Sequence, residues 1–417
     1  MKKYLFFALA LAGMLSSCSS DDTISSGGDS VNDARQAIRI GMGYGKTTTR
    51  GTGTVGGFDN ATDNKWNKQM VNIYMLYRDS MALALTDPEK DPTPIYNNTA
   101  FYTPDAVQTG IATDTTFAIK YYPTQKKFDF WAYRLDDAAT ETAAPVMTDD
   151  SIYVDFTLDG SQDIMVAKAV PSVADTAALT TAEGFQDRAF SAYAARHNVQ
   201  PDLRFRHLLS RLSFDVIPGS RSTVDTITPV IVDSIKVISP TKGRLVIAAK
   251  GDSIDENHYS TRQLVHWNAA TDTLALMQRI AHAEDVINDS LNLIKLASVS
   301  LADSARFTDY TAAPETFVGD TIRIGEALLV APDVTSYEVL VYLRQPTRTS
   351  LNSAATTDIN YSYKDIIKLS ANAPFKKGYS YNVQIKLYGL QDIQITTTLG
   401  KWEDGGTIEL VPEDQDL

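Results

Sequence analysis

Cys18 is the residue whose surroundings predict a definite chemical reaction. Two lysines follow the first methionine, residues 4–14 (YLFFALALAGM) form an apolar run too short to span a bilayer, and residues 15–18 (LSSC) come next. This order is the bacterial lipobox pattern, in which signal peptidase cuts before the cysteine and acyl chains such as palmitate are attached to it. We predict a signal peptide at residues 1–17 and a lipid anchor on Cys18. The alternative is an ordinary secretory leader with a cysteine near its end.

No disulfide can stabilise the chain, because Cys18 is the only cysteine in 417 residues. Stability must come from core packing. Hydrophobic residues make up 43% of the sequence, which is enough for two or three domains.

Arg50 is the second residue with predicted chemistry. It lies in residues 45–57 (GKTTTRGTGTVGG), a stretch of glycines and threonines. Such a loop has low local stability and small side chains, so we predict that a trypsin-like, Arg-specific protease cuts after Arg50. Arg39 is the weaker candidate because it falls inside a predicted strand. The alternative is that Arg50 is a solvated loop residue and the chain stays uncut.

The remaining residue types form no pattern typical of catalysis, and we expect no enzyme, no cofactor and no metal. The histidines show no H-x-x-x-H or H-E-x-x-H pairing, and no G-x-S-x-G motif is present. We expect His207, at the start of a predicted strand, to pack or to form a hydrogen bond rather than to bind a ligand. The five histidines are His197, His207, His258, His266 and His282.

The charge balance is acidic, with 38 Lys and Arg against 51 Asp and Glu. Loss of the leader removes two lysines and makes the chain more negative. Such a surface repels nucleic acids, and we expect no nucleic-acid partner. Aromatic residues allow a second hypothesis, in which four tryptophans and twenty tyrosines supply stacking platforms for glycans, although in β-sandwiches most such residues lie in the core.

We predict a tether and a single strand between Cys18 and Arg50. Residues 18–35 are rich in Ser, Gly and Asp, and we predict a flexible lipidated tether. Beyond it, apolar side chains alternate with small or polar ones, which is the period of a strand with one buried face. The alternating apolar residues are Ile38, Ile40, Met42 and Tyr44.

The rest of the chain is mainly β. Short alternating stretches separated by turn signals predict two antiparallel β-sandwich domains in tandem, at residues 36–202 and 203–417, with a few short helices. Residues 171–202 predict a loop or short helix, and residues 272–306 fit both helix and strand. The predicted strands include 71–77, 128–130, 152–158, 212–216, 231–237, 326–331, 336–344, 361–369, 379–388 and 391–398.

Several stretches, in this order and spacing, resemble a known family. They are the lipobox, TTTRGTG around Arg50, FDFWAY at 128–133, QDIMVAKA at 162–169, FRHLLSRLSF at 205–214, and the ending PFKKGYSYNVQIKLYGL with KWEDGG. The chain resembles the Bacteroidales fimbrillins, lipoprotein precursors of type V pilus subunits. The resemblance covers residues 1 to about 406, and residues 250–320 match nothing specific.

The resemblance implies a surface-exposed outer-membrane precursor made of two transthyretin-like β-sandwiches. Arg-specific cleavage in the loop after the first strand would remove residues 36–50 and open a groove, which a strand from a neighbouring subunit would fill. The alternating residues Ile38, Ile40, Met42 and Tyr44 would then be an internal plug. Anchor subunits of such pili stay uncut.

The resemblance also implies that the C-terminal strands take part in polymerisation. The candidate donor residues are Thr407, Ile408, Leu410 and Val411, in a weakly alternating segment. The alternative is a closing edge strand followed by an acidic tail. The leading hypothesis is a pilus subunit precursor whose partners are other pilus subunits, the outer membrane, an Arg-specific protease and, for adhesion, glycans or host proteins. The alternative is a monomeric surface lipoprotein that binds glycans for uptake.

Overall fold

The computed structural model describes residues 36–44, 70–102, 119–123, 126–135, 143–172, 175, 190–256, 259–279, 293–302, 320–347, 358–390, 393–400 and 407–410. All of them belong to one compact unit, Gln36–Leu417.

The described part of the chain is mainly β, as the alternating sequence predicts. It holds one α-helix, α1 (Ala192–Arg196), and short 3₁₀ segments at Arg221–Val224 and Ser370–Asn372. The strands are β1 (Ile40–Tyr44), β2 (Met70–Tyr77), β3 (Leu85–Asp87), β4 (Asp91–Pro94), β5 (Thr99–Tyr102), β6 (Phe128–Leu135), β7 (Val146–Met147), β8 (Ser151–Thr157), β9 (Ile164–Lys168), β10 (Asp202–His207), β11 (Ser210–Pro218), β12 (Ile231–Pro240), β13 (Lys242–Ala249), β14 (Val265–Trp267), β15 (Thr271–Ala275), β16 (Met277–Arg279), β17 (Leu293–Lys295), β18 (Val299–Ser300), β19 (Ile322–Val330), β20 (Ser336–Pro346), β21 (Asp358–Lys368), β22 (Ser380–Leu387), β23 (Ile393–Gly400) and β24 (Thr407–Leu410).

These strands form four main sheets. Sheet I has seven strands in the order β24-β1-β10-β9-β6-β2-β5. Sheet II has the order β14-β13-β8-β7, sheet III β19-β11-β22-β23, and sheet IV β15-β12-β20-β21, with β18 also paired to β12. Two short hairpins, β3–β4 and β16–β17, complete the described strands.

Sheet I is covered on both faces. Alternate residues of β2 and β6 enter two different cores, because successive side chains of a strand point to opposite faces. The first core holds Ile73 and Phe130 with side chains from α1. The second core holds Trp131 and packs sheet I against sheet II. This double coverage explains why β6 is buried along almost its whole length.

Sheets III and IV enclose a separate core. Alternating residues of β11, β12, β20 and β22 point into it, as Phe214, Ile235, Val341 and Val383 illustrate. The alternation along β20 gives one buried and one partly exposed face, the pattern of a sandwich strand. The packing of sheet I on sheet II, and of sheet III on sheet IV, matches the predicted β-sandwich class.

Two strand pairs run parallel, which differs from the antiparallel sandwiches that the sequence predicts. β1 pairs with β10 in parallel, and β11 pairs with β22 in parallel. Parallel neighbours need a long crossover connection, and both pairs join strands that are far apart in the sequence. Period-2 alternation carries no information about strand direction, so the sequence could not indicate it.

The two undecided segments are resolved where the structure describes them. α1 lies within residues 171–202, where a loop or short helix is predicted. In the described parts of 272–306 the chain forms the strands β15 to β18 rather than a helix. β15, for example, pairs with β12 and buries Leu274. The domain boundary at residue 203 and the transthyretin-like detail stay predictions.

A very short connection joins sheet I to sheet III. Only Leu208 and Leu209 separate β10 from β11, and both side chains are buried. The Leu208 N–H donates to the Ile164 carbonyl at 2.9 Å, and the Gly378 N–H donates to the Leu209 carbonyl at 2.8 Å. The connection is therefore fixed by packing and by backbone hydrogen bonds.

Gly325 in β19 provides a test of the packing beside sheet III. Its φ is +58°, and an added Cβ would lie 2.6 Å from the Met277 carbonyl oxygen. Gly251 is the matched control, since its φ is +63° and a Cβ there meets nothing within 4 Å. We expect Gly251→Ala to lower the free energy of unfolding by about 1–2 kcal/mol from backbone strain alone, and Gly325→Ala by about 1–3 kcal/mol more from overpacking. Urea unfolding measures both; equal losses would contradict the packing argument.

Candidate functional site

The first described segment, residues 36–44, is built into the protein, and we call it the plug segment. Ile38 and Ile40 are 1% and 3% exposed and belong to the first core, whereas Arg39 between them is exposed. The segment begins as an antiparallel bridge in which the Ile38 N–H donates to the Lys120 carbonyl and the Tyr122 N–H to the Gln36 carbonyl, each at 2.9 Å. This alternation agrees with the strand that the sequence predicts.

From Ile40 onward the backbone of the plug segment lies between two strands of sheet I. On one side β1 pairs in parallel with β10, from Gly41 opposite Asp202 to Tyr44 opposite Phe205. On the other side it pairs antiparallel with β24, from Ile40 opposite Leu410 to Gly43 opposite Thr407. The backbone at Met42 and Tyr44 therefore lies in the sheet, as predicted.

A glutamine fastens the start of the plug segment. The Gln200 side-chain oxygen accepts from the Arg39 N–H at 3.2 Å and from the Tyr122 hydroxyl at 3.3 Å, and the Gln200 amide nitrogen donates to the Ala37 carbonyl at 3.2 Å. One side chain thus satisfies backbone groups on both sides of Ile38. Sequence reasoning missed Gln200, because a single polar residue before a proline has no distinctive pattern.

Gly41 allows β1 to approach β10 closely. A Cβ at this position would lie 3.0 Å from Oδ1 of Asp202, its partner in register. Glycine in a strand interior often marks such a close approach. Gly41 therefore leaves room at the Asp202 carboxylate beside the buried Ile40.

β10, the neighbour of the plug segment, is also held by buried polar groups. His207 and Asp163 form a buried side-chain pair between β10 and the residue before β9, as the sequence analysis expects for His207. Arg206 donates to the carbonyls of Ser260 and Gln263 at 2.6 and 2.7 Å, and burial lowers the pKa of its guanidinium. These contacts keep β10 in place independently of β1.

Some predicted site residues lie outside the described part of the chain. They are Cys18, Arg50 and Val411. The backbone of Thr407, Ile408 and Leu410 is described and forms β24 at the edge of sheet I. The candidate donor segment and the plug segment are thus hydrogen-bonded neighbours, a pairing that no pattern in the sequence predicts.

Three other features of the described residues concern metal binding, glycan contact and membrane spans. Among them, no cluster of three or more His, Cys, Asp or Glu side chains is arranged to hold a metal ion. Trp131, one of the candidate glycan platforms, is 2% exposed and has the Lys168 ammonium 4.2 Å from its ring centroid. No helix in the described ranges is both long enough and apolar enough to cross a membrane.

Substitution of Gln200 tests how the plug segment is fastened. In Gln200→Ala we expect the Arg39 amide to exchange with solvent about three- to tenfold faster, because a lost hydrogen bond is worth about 0.5–1.5 kcal/mol net. Hydrogen-exchange mass spectrometry on peptides covering residues 36–44 measures this. The matched control is Gln345→Ala. It removes the hydrogen bond that Gln345, in β20 of sheet IV, donates to the Thr228 carbonyl, and it should leave the plug segment unchanged. Equal effects of the two variants would refute the role of Gln200.

Two solved structures illustrate what the chain is similar to. A candidate cell adhesion protein from Bacteroides uniformis is 13% identical, with 89% of this chain and 99% of that chain covered and a TM-score of 0.42. The fimbrial anchor protein Mfa2 from Porphyromonas gingivalis is 9% identical, with 88% and 99% covered and a TM-score of 0.31. Likenesses at this level establish neither fold nor function, and no curated protein matches the chain.

A family model gives the assignment. The model of the fimbrillin-like family matches residues 60–402, which is most of the chain and includes strands from all four sheets. The match begins after the plug segment and after Arg50, so it is independent of the features from which cleavage is predicted. The chain therefore belongs to the fimbrillin-like family.

Proposed function

We propose that the chain is the precursor of a structural subunit of a cell-surface pilus, held in the outer membrane by lipid on Cys18. Cleavage after Arg50 releases the plug segment, and subunits then join by donor-strand exchange. The observation that carries the proposal is the position of the plug segment, an N-terminal strand paired inside sheet I. It is followed by the Gly- and Thr-rich sequence that contains Arg50.

The physical basis is the cost of an unfilled strand position. Without β1, the edge of β10 would present unpaired N–H and C=O groups beside an open apolar groove. A donated strand with alternating apolar residues repairs both defects. Burial of Ile38 and Ile40 contributes roughly 3–6 kcal/mol in transfer terms, which favours retention of the plug segment until the chain is cut.

Arg50 is the better cleavage position than Arg39. β1 ends at Tyr44, and Arg50 follows six residues later in a Gly- and Thr-rich sequence. The Arg39 N–H is bonded to Gln200, and the flanking Ile38 and Ile40 are buried, so a protease that needs an extended chain would first have to displace the plug segment. This supports one cut at Arg50.

We assign no catalysis and no cofactor to the chain. Its partners are neighbouring pilus subunits, an Arg-specific protease and the outer membrane, with glycans or host proteins as ligands where the fibre adheres. β24 is the candidate donor strand, since it is short and lies at the edge of sheet I.

An Arg50→Gln precursor should resist an Arg-specific protease. The wild-type chain should give a new N-terminus at Gly51, because Arg50 supplies the arginine that the protease requires. N-terminal sequencing of protein from the native cell surface, together with electron microscopy of filaments, measures cleavage and its consequence. Arg50→Gln should show neither the new terminus nor filaments.

Arg39→Gln is the matched control for that experiment and should be cut as the wild type is. A native chain that still begins at Cys18, or filaments that form from Arg50→Gln, would contradict proteolytic activation.

Substitution of Cys18 tests the anchor. Cys18→Ala should incorporate no labelled palmitate, and its membrane-bound fraction should fall by about tenfold or more, because stable anchoring needs acyl chains. Ser17→Ala is the control, since a small residue before the cysteine is kept and lipidation should continue. Membrane binding of Cys18→Ala at the wild-type level would rule out the lipid anchor.

A further inference from the structure

β24 lies at one end of sheet I. In the described part of the chain its strand neighbour is β1, with pairs from Ile40 opposite Leu410 to Gly43 opposite Thr407. The strand that fills the edge of β10 is therefore also the strand that holds the C-terminal segment.

A single strand thus satisfies two backbone edges. One edge of β1 pairs with β10, and its other edge pairs with β24. Removal of β1 leaves both partners with unpaired N–H and C=O groups at once, and each then becomes able to pair with another chain.

We propose that the plug segment is a two-sided lock. It closes the acceptor edge of β10, and it retains β24 so that an uncut subunit can neither accept nor donate a strand. This inference rests on the proposed function in taking β24 as the donor. It goes further in assigning both activities to one cleavage.

The register of the strands opposes closure of the cut subunit on itself. Since β1 is parallel to β10 and antiparallel to β24, the subunit's own β24 runs antiparallel to β10 and would have to pair with it in that direction. In the present register Glu409 and Asp202 both lie opposite Gly41, so a sideways move of β24 into the place of β1 would bring two acidic positions together. A strand from another chain can approach in either direction.

Hydrogen exchange at residues 407–410 tests the lock without any polymer. In the full chain before cleavage, those amides of residues 407–410 that bond to β1 should be protected, while the others point away from the edge of the sheet. After cleavage at Arg50 and separation of the N-terminal fragment, cut chains kept monomeric by dilution should exchange these amides at least about tenfold faster, since the pairing strand is gone. Arg50→Gln, treated with the same protease, should keep its protection.

Adding back a synthetic peptide of residues 36–44 should restore protection at residues 407–410. The matched control is the same peptide with Ile38 and Ile40 both changed to Asp, which should restore nothing because those positions are buried. Protection that is unchanged by removal of the plug segment would overturn the proposal.

A mixing experiment tests the consequence for donation. Labelled Arg50→Gln chains are added in excess to cut wild-type chains, and filament length and label are measured by electron microscopy. A lock on β24 predicts unchanged length and no incorporated label, whereas a free C-terminal strand would let uncut chains join and shorten the filaments. Incorporated label would overturn the lock. If cut chains form no filaments at all, the proposed function fails, and the exchange measurement still decides the lock.

Discussion

The pairing of β1 with two strands at once is the constraint on which the proposed behaviour of this protein depends. β1 contributes only five residues, yet it completes the hydrogen bonding of β10 and connects the C-terminal strand β24 to sheet I. Several individually weak interactions keep the plug segment in place. They are the burial of two isoleucines, the hydrogen bonds of the Gln200 side chain, and backbone pairing on both edges of β1. Such a segment is held firmly while it is attached and dissociates more readily once the covalent connection is cut, because a separate strand must also give up its translational freedom to stay bound.

The strand that the plug segment covers is supported from elsewhere. The buried His207 and Asp163 pair and the contacts of Arg206 with Ser260 and Gln263 fix β10 without help from β1. Sheet I is also packed on both faces. An acceptor edge of this kind keeps its shape when its neighbour leaves, so an incoming strand needs little rearrangement of the fold and pays a smaller cost in ordering.

Much of the fold follows from period-2 alternation, and the exceptions have identifiable causes. Ile38 and Ile40 are buried as the alternation predicts, and the separate sandwich of sheets III and IV is visible in stretches such as 336–344. Alternation does not encode strand direction or neighbour, so the parallel pairing of β1 with β10 and its contact with β24 could not be predicted. Gln200 lies far from Ala37 and Arg39 in the sequence, and its hydrogen bonds to them form only when the chain folds. No local sequence pattern could therefore predict its role.

The two-residue connection between β10 and β11 has a mechanical consequence. In a fibre built by strand exchange, tension applied to the edge of β10 would travel directly along the backbone into sheet III. The connection cannot lengthen at Leu208 and Leu209 without breaking contacts, since both side chains are buried and their backbone groups are bonded to Ile164 and Gly378. A subunit joined in this way would transmit load as a stiff link, and its extensibility would have to come from parts of the chain other than this junction.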